Sequence, residues 1–120
     1  MYRFELPFPP SNNTYYRHVG DKVVLSEKGR KYKAAVRDIL QRLDLAGLML
    51  EDRVVCRLEL HRKDARSYDA DNFYKAVFDS LTNAKFWVDD DIVNECQARR
   101  RNYKRPNKYG RVVNELVTNY

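Results

Sequence analysis

Carboxylate side chains are concentrated between residues 69 and 91. Asp69 and Asp71 lie at the start of a predicted helix, and the run Asp89–Asp91 follows it. Carboxylates from two or three positions can hold one or two Mg²⁺ ions, which polarise a phosphoryl oxygen and lower the pKa of bound water. Lys75 lies one helical turn beyond Asp71, where it is placed to stabilise charge developing on a phosphate. These residue types favour metal-assisted hydrolysis of a phosphodiester.

Each of these patterns also has an ordinary structural interpretation. Acids at the start of a helix complement the helix dipole and cap free N–H groups. Asp71, Lys75 and Asp79 follow one another at intervals of four, which is typical of a charged helix face. The run Asp89–Asp91 is compatible with a polar turn. From the residue pattern alone, a metal site and a solvated acidic surface both stay open.

The composition predicts a single folded domain over residues 1–120, with 43% hydrophobic residues. No apolar run is long enough to cross a membrane, and the polar start of the chain does not resemble a signal peptide, so we expect a cytoplasmic protein. The formal net charge of +6 favours an anionic partner. Cys56 and Cys96 are predicted to be small buried strand residues rather than metal ligands or a disulfide.

The elements that must position these residues are predicted from hydrophobic periodicity. Strands are predicted over residues 2–6, 22–25, 53–62, 92–104 and 111–119, and helices over residues 27–46 and 71–84. Ser26 is the predicted N-cap of the first helix, although Gly29 interrupts a capping box. Residues 7–20 are predicted to be a loop, because prolines interrupt them. The last two strands are expected to pair as a hairpin through a turn at residues 105–110. The predicted class is α+β, with a small, mainly antiparallel or mixed sheet and two helices.

Ordered motifs extend along nearly the whole chain. They are Pro9-Pro10-Ser11-Asn12-Asn13, Tyr15-Tyr16-Arg17-His18, Asp69-Ala70-Asp71-Asn72, Lys75-Ala76, Phe78-Asp79-Ser80-Leu81-Thr82 and Trp87-Val88-Asp89-Asp90. In order and separation they resemble the RusA family of Holliday junction resolvases, common in phages and prophages. The resemblance implies a homodimeric, Mg²⁺-dependent endonuclease that resolves four-way DNA junctions by paired symmetric cleavage in recombination and repair.

Residue by residue, the resemblance implies that Asp69, Asp71 and Asp90 bind the metal. It also implies that Lys75 is the catalytic lysine, with Asn72 in the same motif as a DNA contact. The implied dimer suits two symmetric nicks, because a two-fold protein matches a two-fold substrate. The alternatives are a less selective nuclease acting on branched or flap DNA, and a junction-binding protein that lacks catalysis.

The sequence departs from the family pattern at two positions. Lys85 stands where a glycine usually precedes the aromatic pair, and a side chain is unfavourable there if the turn requires a positive φ. Asp91 stands where a small residue is common. The register of the motif favours Asp90 as the metal ligand, while Asp89 and Asp91 stay open as alternatives.

Basic residues are dense near the predicted hairpin, where seven of the 23 Lys and Arg fall within residues 99–111. They are Arg99, Arg100, Arg101, Lys104, Arg105, Lys108 and Arg111. We predict phosphate contacts for this segment, the alternative being an edge strand protected by charge.

Aromatic and basic residues also stand together in the predicted N-terminal loop. Tyr15, Tyr16, Arg17 and His18 are candidates for contact with DNA bases or phosphates. The alternative for the tyrosines is packing onto the sheet or at the dimer interface. Trp87 is predicted to pack in the core or at that interface.

Overall fold

The structure, a computed structural model, describes residues 1–61, 73–100 and 111–118. Its strands are β1 (Tyr2–Leu6), β2 (Tyr16–Val19), β3 (Lys22–Leu25), β4 (Val54–His61), β5 (Val93–Arg100) and β6 (Arg111–Thr118). Its helices are α1 (Asn12–Tyr15), α2 (Glu27–Arg42) and α3 (Tyr74–Asn83), and a 3₁₀ turn spans Asp90–Ile92. The predicted α+β class is confirmed. None of the helices in these three segments is long and apolar enough to span a membrane.

β6 occupies an interior position in a four-stranded sheet of order β1-β6-β4-β5. It pairs antiparallel with β1 and β4, whereas β4 and β5 run parallel. The predicted hairpin between the last two strands is therefore wrong. β6 buries Val112 and Leu116 on one face and Val113 on the other, as suits an interior strand, while the mostly polar β5 suits an edge.

The parallel pairing of β4 and β5 requires a crossover connection, because parallel strands cannot be joined by a tight turn. This connection spans residues 62–92 and contains α3 and the 3₁₀ turn. The acidic segment at residues 69–91 is therefore part of the crossover. In the described part of this connection, α3 joins the core through Val77 and Leu81, which are fully buried.

The predicted N-terminal loop is partly wrong, because residues 12–19 form α1 and β2. β2 and β3 pair into a ribbon separate from the main sheet. α2 ends at Arg42 rather than at residue 46, since the chain turns at Asp44 with a φ of 59°. The predicted turn at residues 105–110 and the end of the strand before it lie outside the described residues.

The core fills the space between the sheet and the two long helices. Trp87 and Phe86 are fully buried in it, which places Trp87 in the core, one of its two predicted locations. Cys56 and Cys96 are partners across β4 and β5 and are both free thiols. Both lie in strands as predicted, but only Cys56 is buried, whereas Cys96 is half-buried.

The start of α2 is tied to the end of α1. Ser26 is the N-cap, and its Oγ accepts a hydrogen bond from the Gly29 N–H at 3.0 Å. The Ser26 N–H donates to the Tyr15 carbonyl oxygen at 2.9 Å. A Cβ on Gly29 would lie 2.6 Å from that oxygen and 2.9 Å from Cδ1 of Leu25. Close approach of the backbone thus explains the glycine that interrupts the capping box.

Gly29→Ala should destabilise the protein by about 1–3 kcal/mol, because the added methyl overpacks against fixed backbone. This cost opposes the helix propensity that alanine gains over glycine, about 1 kcal/mol. Urea unfolding measures the sum. Lys28→Ala, at the neighbouring exposed position, is the control and should change stability by less than about 0.5 kcal/mol. A Gly29→Ala variant more stable than the parent would contradict the close approach.

Candidate active site

Lys75 and Asp79 lie one turn apart on α3 and form an ion pair, with 3.6 Å between Nζ and Oδ1. The other carboxylate oxygen of Asp79, Oδ2, accepts a hydrogen bond of 3.1 Å from the hydroxyl of Tyr16. Tyr16 belongs to β2, 63 positions earlier in the sequence. The polar face of α3 is therefore joined to the N-terminal ribbon through one carboxylate.

The chain reverses direction directly after α3. Lys85 adopts the left-handed conformation with a φ of 58°, which confirms that this turn uses a positive φ. The Lys85 N–H donates to the Thr82 carbonyl at 3.0 Å, and the Phe86 N–H donates to the Leu81 carbonyl at 3.1 Å. This pair of bonds is the Schellman motif that closes many helices. The Nε1–H of Trp87 donates to Oγ1 of Thr82 at 2.7 Å and ties the returning chain to the helix.

The three aspartates that follow this turn, Asp89–Asp91, have different surroundings. Asp89 caps the 3₁₀ turn, its carboxylate accepting a 2.8 Å hydrogen bond from the Asp90 N–H. Asp90 is half-buried, whereas Asp89 and Asp91 are exposed. Nη1 of Arg53 donates to the Asp91 carbonyl and fixes the backbone there. Asp90 is thus the member of the run whose carboxylate is most enclosed.

Electrostatic interactions join this acid run to α3. Burial raises the pKa of Asp90, and hydrogen bonding and charge from Asp89 raise it further. The Asp79 carboxylate also raises the pKa of Asp90, while the Lys75 ammonium lowers it. Asp79 is the main cause that raises the pKa of Lys75, with Asp90 contributing in the same direction. Lys75, Asp79 and Asp90 therefore form one charged cluster.

The predicted ligands Asp69 and Asp71, with Asn72, lie outside the described residues. Within residues 1–61, 73–100 and 111–118, no group of three or more His, Cys, Asp or Glu side chains is close enough to hold a metal. Of the predicted ligands, Asp90 lies within the described residues, and its carboxylate oxygens are ligands of the kind that Mg²⁺ prefers. The raised pKa of Asp90 shows surroundings that disfavour added negative charge, which a bound cation would offset.

The predicted DNA contacts fall in different places. Tyr15 is fully buried in the core, so its predicted contact with DNA disagrees with the structure and the packing alternative holds. Tyr16 is half-buried and packs edge-on against Tyr15, with ring centroids 4.9 Å apart. Arg17 and His18 are exposed on the ribbon.

The basic segment is described only at its start. Arg99 and Arg100 are exposed at the end of the edge strand β5, where successive side chains point to opposite faces. Arg99 helps to line a groove on one face of the sheet together with Arg3 and Arg57. The other predicted contacts lie outside the described residues. They are Arg101, Lys104, Arg105 and Lys108.

Comparison with known proteins decides the family. The family model described as Endodeoxyribonuclease RusA matches residues 7–112. The chain belongs to the RusA family. It is 37% identical over 117 residues to the crossover junction endodeoxyribonuclease RusA of Escherichia coli O139:H28, covering 96% of this chain and 95% of that protein. It is 44% identical over 91 residues to the RusA proteins of Escherichia coli K12 and of Enterobacteria phage 82, covering 74% of this chain and 73% of each relative.

RusA membership confirms the resemblance drawn from the ordered motifs. It does not by itself reveal the bond between Tyr16 and Asp79. These two residues stand in separate motifs, 63 positions apart. Their spacing carries no local signal of contact, because the i,i+3 and i,i+4 rules link neighbours on one helix only.

Lys85→Gly should stabilise the protein by about 0.5–1 kcal/mol. The left-handed conformation costs a non-glycine residue about 1–2 kcal/mol, which glycine avoids. The substitution also removes a favourable interaction between the lysine cation and the helix C-terminus, so the net stabilisation is smaller. Urea unfolding is the measurement. The matched control is Asn83→Gly, at the last residue of α3. It should destabilise the protein, because glycine there only adds backbone entropy to the unfolded chain. Equal effects of the two glycines would contradict this explanation.

Proposed function

We propose that this protein is a Mg²⁺-dependent endodeoxyribonuclease that resolves four-way DNA junctions by paired symmetric cleavage. The observation that carries the proposal is the charged cluster of Lys75, Asp79 and Asp90. It joins α3 to Asp90, near the end of the acidic segment, in a chain of the RusA family. The relatives are named crossover junction endodeoxyribonucleases, which supports the same substrate for this chain.

The residues proposed to hold the metal are Asp69, Asp71 and Asp90. When bound, the metal supplies polarisation of the phosphoryl oxygen and an activated water. Lys75 is about half exposed, so its ammonium can reach a phosphate at the protein surface. Asp79 raises the pKa of Lys75 and so favours the protonated form, which is the form that neutralises charge developing on the scissile phosphate.

Part of the proposed DNA surface is joined to this cluster through Tyr16. Arg17 and His18 extend from the ribbon that Tyr16 joins to α3, and Tyr16 itself lies at the edge of the cluster. Asn72 and the basic segment complete the proposed surface. The basic residues are Arg99, Arg100, Arg101, Lys104, Arg105 and Lys108. Contacts of this kind bind phosphates without reading sequence, so junction affinity should fall steeply with added salt.

The proposed working unit is a homodimer acting on branched DNA in the cytoplasm. Two symmetric nicks need two active sites related by a two-fold axis, and a homodimer supplies them from one kind of chain. The net charge of +6 supports a polyanionic partner.

Asp71→Asn should abolish cleavage of a synthetic four-way junction in Mg²⁺ while retaining junction binding. Loss of one carboxylate removes a metal ligand but not the basic surface. Gel assays of cleavage, and of binding without divalent metal, measure the two properties. The control is Asp38→Asn, which removes an exposed acid paired with Arg42 on α2 and should leave both properties unchanged. Cleavage at the parent rate by Asp71→Asn would show that Asp71 is not a ligand.

Asp90→Asn should also abolish cleavage, whereas Asp89→Asn should retain most of it. An asparagine at position 89 can still cap the 3₁₀ turn, since Asn and Asp are equally good caps. Asp90→Asn, in contrast, replaces the enclosed carboxylate that is proposed to bind the metal. The measurement is the rate of junction cleavage at saturating enzyme. The reverse result, with Asp89→Asn inactive and Asp90→Asn active, would assign the metal to Asp89.

A further inference from the structure

We propose that Asp79 is a positioning residue for Lys75 in the cleavage reaction and that Tyr16 holds Asp79 in place. The inference rests on the proposed function, since it assumes that Lys75 acts on the scissile phosphate. Its basis is the division of the Asp79 carboxylate between two partners. Oδ2 accepts from the Tyr16 hydroxyl at 3.1 Å, and Oδ1 lies 3.6 Å from Nζ of Lys75.

The pair differs from the ordinary ion pairs on the helices of this chain. Glu27 and Lys31 on α2 also stand four residues apart, but their side chains are 73% and 75% exposed. In the α3 pair, the exposed fractions are 28% for Asp79 and 49% for Lys75. An exposed pair fixes neither partner well, because side-chain entropy and solvent compete with it. Asp79 is more enclosed and also accepts a hydrogen bond from Tyr16, so it can fix the lysine.

Helix stability does not account for this pair. An acid placed before a lysine stabilises a helix better than the reverse order, and in α3 the lysine comes first. The Tyr16 hydroxyl also comes from another element, β2, so the interaction serves more than the helix. The bond to Tyr16 leaves the Asp79 carboxylate little freedom to rotate. Lys75 is thereby directed along the face of α3.

A fixed lysine matters because of the acids around it. Lys75 interacts electrostatically with Asp90, which is a proposed metal ligand. A free ammonium would pair with such a carboxylate and compete with the cation for it. Asp79 gives Lys75 a partner other than Asp90, which would leave the Asp90 carboxylate available to a cation. Because both of its oxygens have partners, Asp79 itself is poorly placed to be a metal ligand.

The packing of Tyr16 makes a mild test possible. Its ring packs edge-on against Tyr15, so Tyr16→Phe removes the hydroxyl and keeps the aromatic contact. Any stacking of the ring on a base would also survive. Asp79→Asn removes the charge and keeps the shape. The controls are Tyr2→Phe, a half-buried tyrosine that packs on Phe86, and Asp38→Asn on α2.

The experiment measures single-turnover cleavage of a four-way junction in Mg²⁺ at saturating enzyme, together with junction affinity in the absence of divalent metal. Tyr16→Phe and Asp79→Asn should each slow cleavage by about tenfold, as expected for loss of a hydrogen bond to a charged group, with affinity changed less than about twofold. The double variant should be about as slow as Asp79→Asn alone, because Tyr16 acts through Asp79. Both controls should cleave at the parent rate.

Three results would overturn the inference. The first is cleavage at the parent rate by either single variant, and the second is a double variant slowed by the product of the two single effects. The third is a loss of junction affinity along with the rate, which would show a purely structural role. Failure of the proposed function is a different outcome, in which the parent protein does not cleave the junction.

Discussion

The reversal of the chain after α3 is the constraint on which the site depends. Lys75 and Asp79 stand on the helix, and Asp90 joins them only because the chain turns back at Lys85. Burial is the main cause that raises the pKa of Asp90, and the Asp79 carboxylate adds to that rise. Burial of Trp87 holds the turn closed, since a buried indole contributes about 4–6 kcal/mol of apolar transfer free energy. The position of Asp90 in the charged cluster therefore depends on the burial of Trp87.

A second support comes from the N-terminal segment. Ser26 and Gly29 bring the start of α2 against the Tyr15 carbonyl, and buried Tyr15 fixes the segment in the core. Tyr16, the next residue, then presents its hydroxyl to Asp79. Backbone packing far from the acids in sequence thus sets the position of a side chain at the site. Elements distant in sequence meet at one carboxylate, which makes the site depend on the whole fold.

Sequence reasoning predicted the parts of this fold that depend on local periodicity. The cores of α2, α3, β1 and β4 follow from the spacing of apolar residues, and the motifs identified the family. Strand pairing was predicted less well, because adjacency in sequence suggested a hairpin that the sheet does not contain. The signal that was available is the apolar character of both faces of β6, against the polar β5. The roles of Gly29 and Tyr16 could not be predicted, since each depends on a contact between separate elements.

The charged cluster of Lys75, Asp79 and Asp90 is proposed to act in a nuclease that is selective for four-way junctions. The most direct measurement compares four-way, flap and linear duplex substrates of matched sequence, side by side in Mg²⁺, and maps the nicks on each strand. A junction-selective nuclease should place paired nicks symmetrically across the four-way junction and should cleave the linear duplex little or not at all. Equal cleavage of all three substrates, or no cleavage of the junction, would contradict the proposal.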